Sequence, residues 1–543
     1  MKQLFNYIFL TMILFLSARG QEQVVRVDTS AMPKLEIPEI TIVGKKAITL
    51  PFARKGEIYD VNIYDAPPPD TSILEDRPTM PIPIGLLPRY DEPLEPWHVS
   101  AEASLGSFST GGLRAYVDYK GNKWGVYGNS GFQTTRGHIT HASGNSFQME
   151  ATAHSIVSTD NDILKTFRVS GGLQLMHDKY GLFGIRNIMV DRSRTNVLLD
   201  GRLNSLDRDE SALDFSLRAN IWSLSDQQPA SSPSVSAVSP ELAISYSLKI
   251  SDAQLLIQIS YSSTSLNYDH PVQTPSLFGL SATVKFLLMN KWFLQVGGEF
   301  QDGSGSNDEK HSLIAPVAIL KWELDRDRAV SIWFKPEMRL TSYGDYTTIN
   351  PYLVREIELQ PERTWFNLGG TFWYNSGIIS LEVNGAIAKS TNKSIQLADN
   401  GKLSLSFVDA SQITLKADGN LKPMDNTRLK FTGIFQPSFQ DGKSEQLPMI
   451  PLIQLAARCE VALNIPLTIW SSLEFWSKQN VDLAGDKTLS ERILLNIGAE
   501  SNIIPRTVLM IEAGNILNHS YEWWSGYKAP GRSIKLEAKV NFQ

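Results

Sequence analysis

The chain has 543 residues, with 51 Lys and Arg against 57 Asp and Glu for a formal charge of -6, and a single cysteine. The acidic balance argues against a nucleic-acid binder, and one cysteine excludes an internal disulfide framework and a zinc cluster built on cysteine pairs. Mean hydropathy is -0.16, which a membrane barrel can share with a soluble protein because its polar and apolar positions alternate.

The first residues, MKQLFNYIFLTMILFLSARGQ, carry Lys2, an apolar run from Leu4 to Leu16, and the small residues Ala18 and Gly20. Residues 1–20 read as a secretory signal peptide: the run is too short for a comfortable membrane anchor, and no cysteine follows to start a lipoprotein. Residues 21–96 differ in composition from everything after them, with Pro33, Pro38, Pro51, Pro67, Pro68, Pro69, Pro78, Pro81, Pro83, Pro88, Pro93 and Pro96. Proline fixes φ and removes an amide donor, so this periplasmic segment is expected to be extended, with polyproline character. Within it Glu39, Ile40, Thr41, Ile42, Val43 and Gly44 form a β-prone run, a candidate partner-contact segment suited to strand addition at a sheet edge. A solvated linker with a chance β-run is the plainer reading of the same residues.

From Trp97 the sequence becomes a succession of runs with a period of two, each ten to fifteen residues long. Leu113, Ala115, Val117 and Tyr119 make one face, and Leu255, Ile257, Ile259 and Tyr261 another. Similar runs follow at Trp292–Phe300, Val330–Leu340, Phe366–Tyr374, Ile379–Ile387, Leu429–Phe435, Leu467–Phe475 and Ile493–Ala499. A period of two is a β-strand, and no run holds a 3.6 period over comparable length. Pro336 counts against regular pairing in its run. Cys459 alternates with Leu455, Ala457, Val461 and Leu463 and reads as a small apolar residue facing lipid.

Short connections are expected at 120–123, 250–253, 289–291, 324–328, 375–377, 422–427, 464–466 and 503–506. Long polar ones are expected at 134–146, 223–240, 262–275, 301–310, 342–360, 437–449, 479–489 and 518–532. Short and long alternate in phase, as in a barrel with tight periplasmic turns and larger outward loops. The runs suit a tilted span of roughly 9–11 residues, and their number is about 22. The expected fold is all-β: a transmembrane antiparallel barrel over residues 97–543 in the outer membrane of a Gram-negative bacterium, preceded by the extended Pro-rich segment. Trp97, Trp124, Trp292, Trp322, Trp373 and Trp476 lie near run ends and suit interfacial girdles.

In the last run Ile534, Leu536, Ala538, Val540 and Phe542 share a face opposite Lys535, Glu537, Lys539 and Asn541. In a barrel the first set meets lipid and the second lines the lumen. Lys335, Glu337, Arg339, Glu382, Arg458 and Glu460 are candidate lumen charges that could set selectivity, or plain lumen solvation. His138 and His141 fall three apart in an outward loop without a nearby carboxylate, and read as a solvated loop rather than a metal site. No nucleophile elbow, HExxH or phosphate loop is present, so no catalytic residue, metal or cofactor is expected.

Asn515-Ile516-Leu517-Asn518, Tyr521-Glu522, Gly526-Tyr527 and Ala529-Pro530-Gly531-Arg532 before the final strand resemble the last hairpin of TonB-dependent receptors. Asn350-Pro351-Tyr352-Leu353 with Gln360-Pro361-Glu362-Arg363 is similar to that family's "NPxLxPE" element, split by an insertion, and Glu39–Gly44 loosely resembles its energy-coupling box. The resemblance covers residues 97–543. It implies a barrel acting in transport or as a membrane platform, with Phe542 in the C-terminal signature read by the barrel-insertion machinery. It also implies a partner, either TonB or a periplasmic protein or lipoprotein. The family's folded plug does not fit into residues 21–96, so the lumen is expected to be filled by that segment, by inward-folded loops or by a partner. The alternative is a porin-like diffusion channel without energy coupling.

Overall fold

The computed structural model describes residues 97–542, except 122, 161–164, 185–189, 207–210, 229–231, 269–272, 290 and 400–401. The signal-peptide reading, the Pro-rich segment and Glu39–Gly44 lie outside the described residues.

Among the described residues 22 strands pair antiparallel, each with its neighbours in the chain, and close into a barrel. In order they are β1 Trp97–Gly106, β2 Thr110–Lys120, β3 Trp124–Thr135, β4 Gly144–Ser158, β5 Thr166–Gly181, β6 Asp191–Ser205, β7 Ser211–Gln227 and β8 Ser234–Ile250. Next come β9 Ala253–Ser263, continued by Ser265–Asn267, β10 Ser276–Met289, β11 Trp292–Ser304, β12 Lys310–Glu323, and β13 Arg328–Phe334, continued by Glu337–Arg339. The rest are β14 Glu362–Asn375, β15 Ile379–Asp399, β16 Lys402–Met424, β17 Thr427–Phe435, continued by Ser438–Gln440, β18 Ile453–Ala462, β19 Leu467–Trp476, β20 Arg492–Ser501, β21 Thr507–Gly514 and β22 Ser533–Asn541. The barrel closes where β1 pairs with β22, Leu105 opposite Leu536 and Ala101 opposite Val540. Closure leaves no free sheet edge at the ends of the strand order, the condition for crossing a bilayer with strands.

Side-chain alternation sorts the wall as the period-two pattern requires. Ile534, Leu536, Val540 and Phe542 are exposed on the outer surface, while Lys535 pairs with Glu537 at 3.3 Å on the inner one. Trp97, Tyr119 and Trp124 stack outside the turn end of β1–β3, and Trp292 stacks on Trp322 at 4.7 Å at the same end of β11–β12. Trp373 and Trp476 depart from the girdle expectation. Trp373 lies opposite lumenal Glu382, and Trp476 is buried beneath Arg492.

Connection lengths segregate by end. The short turns, among them 251–252, 376–378, 425–426 and 463–466, share one end with Trp97 and Phe542, while the long connections 340–361, 441–452, 477–491 and 515–532 share the other. Several boundaries differ from the sequence reading. The Ser-rich stretch 223–240 is mostly strand, because its alternate residues Leu224, Val235 and Ala237 are apolar and buried. β15 and β16 run to 21 and 23 residues and rise well above the rest of the wall. A helix, α1 Tyr343–Ile349, lies within the expected loop 342–360.

One seam interrupts the wall. The β12–β13 ladder runs only from Ala318 to Glu323 on β12 and stops at Phe334. Lys335 N–H donates to Asn367 on β14 at 2.9 Å, so by alternation even-numbered β13 residues face β12 and even-numbered β12 residues face β13. At the point of parting, the residues that would face each other next are Pro316 and Pro336, neither of which has an N–H to donate. Beyond Pro336 the chain shifts inward of β12, while Glu337–Arg339 stay paired with Glu362–Thr364 of β14. Met338, expected to share a face with Ile332, is instead buried with Leu313 and Ala315, and its N–H donates to the Gln301 side chain.

Candidate functional site

At the loop end the connections fold together over the mouth of the barrel. Residues 340–361 form the centre of this cap. Ser342 caps α1, its Oγ accepting from Asp345 N–H at 3.2 Å while the Asp345 carboxylate accepts from Ser342 N–H at 3.3 Å, a reciprocal capping box. Pro351 stops the helix, and Asn350 turns the chain by accepting from Tyr352 N–H at 3.0 Å.

Two arginines of β6 hold the cap from the barrel wall. Arg192 and Arg194 are two apart, so both point inward. Each lies directly opposite a carboxylate on a neighbouring strand, Arg192 opposite Asp226 of β7 and Arg194 opposite Asp178 of β5. Arg192 donates Nε and Nη2 to the two Asp226 oxygens at 2.7 and 2.9 Å. Its Nη1 donates to the carbonyls of Pro351 at 2.9 Å and Leu353 at 2.6 Å. Arg194 donates Nε to Asp178 at 3.0 Å and Nη1 to the Thr347 carbonyl at 2.7 Å. The guanidinium fork suits this double task, one edge taking a carboxylate and the other a carbonyl. Both arginines are buried, so their charges are tolerable only because every partner is present.

Around this clamp lies an apolar core contributed by many connections: Trp222, Leu224 and Val235 from β7 and β8, Leu353 and Leu359 from the central loop, Leu403 from β16, Met449, Val481, and Trp524 and Tyr527 from the last long loop. Tyr352 stacks on Tyr527 with ring centroids at 3.8 Å, and Tyr343 meets Trp222 edge-on. Tyrosine hydroxyls donate to cap carbonyls: Tyr343 to Arg355 at 2.6 Å and Tyr268 to Ile357 at 2.8 Å. A Cβ added at Gly184 would lie 2.5 Å from the Tyr527 ring. Gly184→Ala should therefore displace the Tyr352–Tyr527 stack and quicken protease cleavage between residues 515 and 532; unchanged cleavage would show that the stack does not hold this loop.

Burial pushes the phenols of Tyr268, Tyr346, Tyr352 and Tyr521 up to about 12, against an ordinary 10.0. A folded value above the unfolded one contributes stability that is complete below pH 10 and is lost as pH rises through the folded value. The cap should stay shut through neutral pH and loosen between pH 10 and about 12. Tyrosinate absorbance would check this, and a single titration centred at 10 would contradict it.

The sequence-selected lumen charges are spread over the wall rather than gathered. Lys335 and Glu337 flank Pro336 at the seam, with Arg339 exposed just beyond. Glu382 accepts from Asn384 at 3.0 Å, and Arg458 pairs with Glu460 at 2.7 Å over the Trp470 ring. His138 is tied down, its Nε2 lying 2.7 Å from the Lys528 carbonyl, and His141 supplies a left-handed turn. Among the described residues no group of three or more His, Cys, Asp or Glu converges as a metal-ligand set. Arg192, Arg194, Asp178, Asp226 and Trp222 were not singled out from the sequence. Their signal is an arginine pair at a spacing of two, and it acquires meaning only once the β5–β6–β7 register is known.

Of the stretches that carried the family resemblance, the two among the described residues have mechanical roles. Asn350–Leu353 is the part of the cap gripped by Arg192. In the last hairpin Asn515 holds its loop by accepting from His519 N–H and donating to the His519 carbonyl, both at 2.9 Å. Arg532 Nε donates to the Ile516 carbonyl at 2.8 Å.

No family model matches the chain, and no curated protein matches it. Among solved structures it is similar to the FrpB iron transporter from Neisseria meningitidis, with 10% identity, a TM-score of 0.66, and 83% of this chain and 82% of that one covered. It is also similar to the ferric yersiniabactin uptake receptor FyuA from Yersinia pestis, with 10% identity, a TM-score of 0.64, and 83% and 81% covered. The copper transporter OprC gives 11% identity, a TM-score of 0.63, and 83% and 82% covered. The described residues thus have the 22-strand barrel fold of the TonB-dependent receptors.

Proposed function

We propose that the chain is an outer-membrane transport barrel whose own loops keep its outer mouth shut until the cap is displaced. The cap carries this reading. A 22-strand lumen is wide enough to leak solutes, and the inward-folded loops over its mouth meet that need with a buried apolar core and two buried ion pairs. The same observation disfavours the porin-like alternative, in which loops constrict a pore without sealing it. A solute passing inward must separate residues 340–361 from Arg192 and Arg194 and expose the aromatic core. Lumen charges such as Glu382 and the Arg458–Glu460 pair then form a largely neutralised polar wall along the path. Coupling to a periplasmic partner, TonB among the candidates, would run through Glu39–Gly44.

Replacing residues 341–360 by a short Gly/Ser link tests the proposal. Cells making this variant should become sensitive to antibiotics too large for ordinary porins, while cells making the intact chain stay resistant. Resistance unchanged by removal of the cap, with the variant present in the outer membrane, would contradict the reading.

A further inference from the structure

The seam between β12 and the end of β13 presents a physical problem that the cap does not solve. Where β13 parts from β12, the β12 residues Lys310, Ser312, Ile314 and Pro316 turn their backbone toward a strand that no longer pairs with them, while Glu337–Arg339 keep their ladder to β14. Pro316 has no donor, and the Ser312 carbonyl accepts from Arg363 Nη1 at 3.4 Å. Ile314 stands at this edge 83% exposed, above every other large apolar residue described. A lipid-facing wall does not leave backbone groups bare in hydrocarbon, so the outer end of the seam must lie at the headgroup level or be covered.

The outer surface around it is built for that level. By alternation Lys310, Arg363 and Lys389 all point outward, on β12, β14 and β15. Lys389 Nζ lies 5.8 Å over the Trp365 ring, and Trp365 is an exposed residue at a β-bulge. Arg363 Nε donates to Thr391 of β15 at 3.2 Å, while its Nη1 reaches across the seam to the Ser312 carbonyl. Exposed carboxylates nearby include Asp302, beside Ser312 in the β11–β12 register, and Glu309, next to Lys310 and 3.9 Å from His311; Asp409, farther round, accepts from Asn392 N–H at 3.3 Å. Counted along each strand from the turn end, these cations stand about one membrane span up. Below them the outer surface is apolar, through Ile314, Phe366 and Ile332.

From this arrangement we propose that the seam binds a phosphate-bearing lipid of the outer leaflet, its headgroup on Lys310, Arg363 and Lys389 and an acyl chain along Ile314 and Phe366. The proposal rests on the reading of the chain as an outer-membrane barrel. Arginine and lysine together take phosphate oxygens as a fork and a point charge, and the indole of Trp365 sits where an interfacial aromatic does. The acyl chain covers the β12 edge from which β13 parts, so the lipid seals the break in the ladder beside the cap's point of departure.

Native mass spectrometry of the full chain, carried through nanodiscs and released in detergent, reads the retained lipid directly. With phosphatidylglycerol and phosphatidylcholine as probes, the wild type should retain one phosphatidylglycerol at least ten times more strongly than phosphatidylcholine. The K310S/R363S/K389S variant should lose that preference, while K123S/K291S/K422S at the opposite rim should keep it. Equal retention of both lipids by the wild type, or equal loss in both triple variants, would overturn the site. Displacement by excess inorganic phosphate would overturn it too, by marking a free-anion site. Insertion into nanodiscs, read beforehand by the heat-dependent gel shift of a folded barrel, reports separately on the membrane assignment.

Discussion

Arg192→Ala should open the cap without dissolving the barrel. It leaves Asp226 buried without its cation and the carbonyls of Pro351 and Leu353 without a donor. Removing one partner of a buried pair costs about 3–5 kcal/mol, and that cost falls on the interface between wall and cap. Amide hydrogen exchange in residues 340–361 should accelerate by more than about a hundredfold, since each 1.4 kcal/mol is a factor of ten, while amides of β15 and β16 stay protected. The double change Arg192→Met with Asp226→Leu should cost less than the single one, because no charge is stranded. Unchanged exchange in residues 340–361 of the single variant would show that the clamp is incidental to the cap.

Leu536→Lys should cost about 2–4 kcal/mol of barrel stability, the penalty of a lysine on the lipid face near the middle of the bilayer. Leu536 is exposed on the outer surface opposite Leu105 and Ile511, and its neighbour Lys535 lies inside with Glu537. Lys535→Leu should therefore be the milder change, even though it removes a charge and adds an apolar residue. Urea unfolding in lipid vesicles distinguishes them. A larger loss from Lys535→Leu would invert the assignment of the two faces.

Much of the barrel was legible because its signal is local. Alternation at Ile534–Phe542 assigns a face to each residue, and the in-phase turns at 250–253, 375–377 and 464–466 fix the direction of successive strands. The two departures among the strands have physical causes. In 223–240 the serines mask an apolar set whose partners, α1 and Leu353, lie more than a hundred residues away in the chain. At Met338 the alternation breaks because Pro336 facing Pro316 ends the pairing with β12, and the end of β13 shifts inward while still paired with β14. Pro336 alone was readable; its counterpart acquires meaning only with the register.

The cap was far less legible. Loops 340–361, 441–452, 477–491 and 515–532 look like solvated connections because each contributes only a few apolar residues, Leu353, Met449, Val481 and Tyr527 among them, and none could bury these alone. The clamp is non-local in the same sense, since Arg192 and Arg194 gain their carboxylates from two flanking strands and their carbonyls from residues 347–353. The family resemblance at Asn350–Leu353 pointed to the right stretch without saying what holds it.

Single-channel recording in planar bilayers tests the central claim most directly, by comparing the full-length wild type with the R192A/R194A variant under the same voltage. A barrel shut by its own cap predicts a silent wild type and large, long-lived openings in the variant. Steady large openings in the wild type, or silence in both with the variant's loops shown by hydrogen exchange to be released, would contradict it.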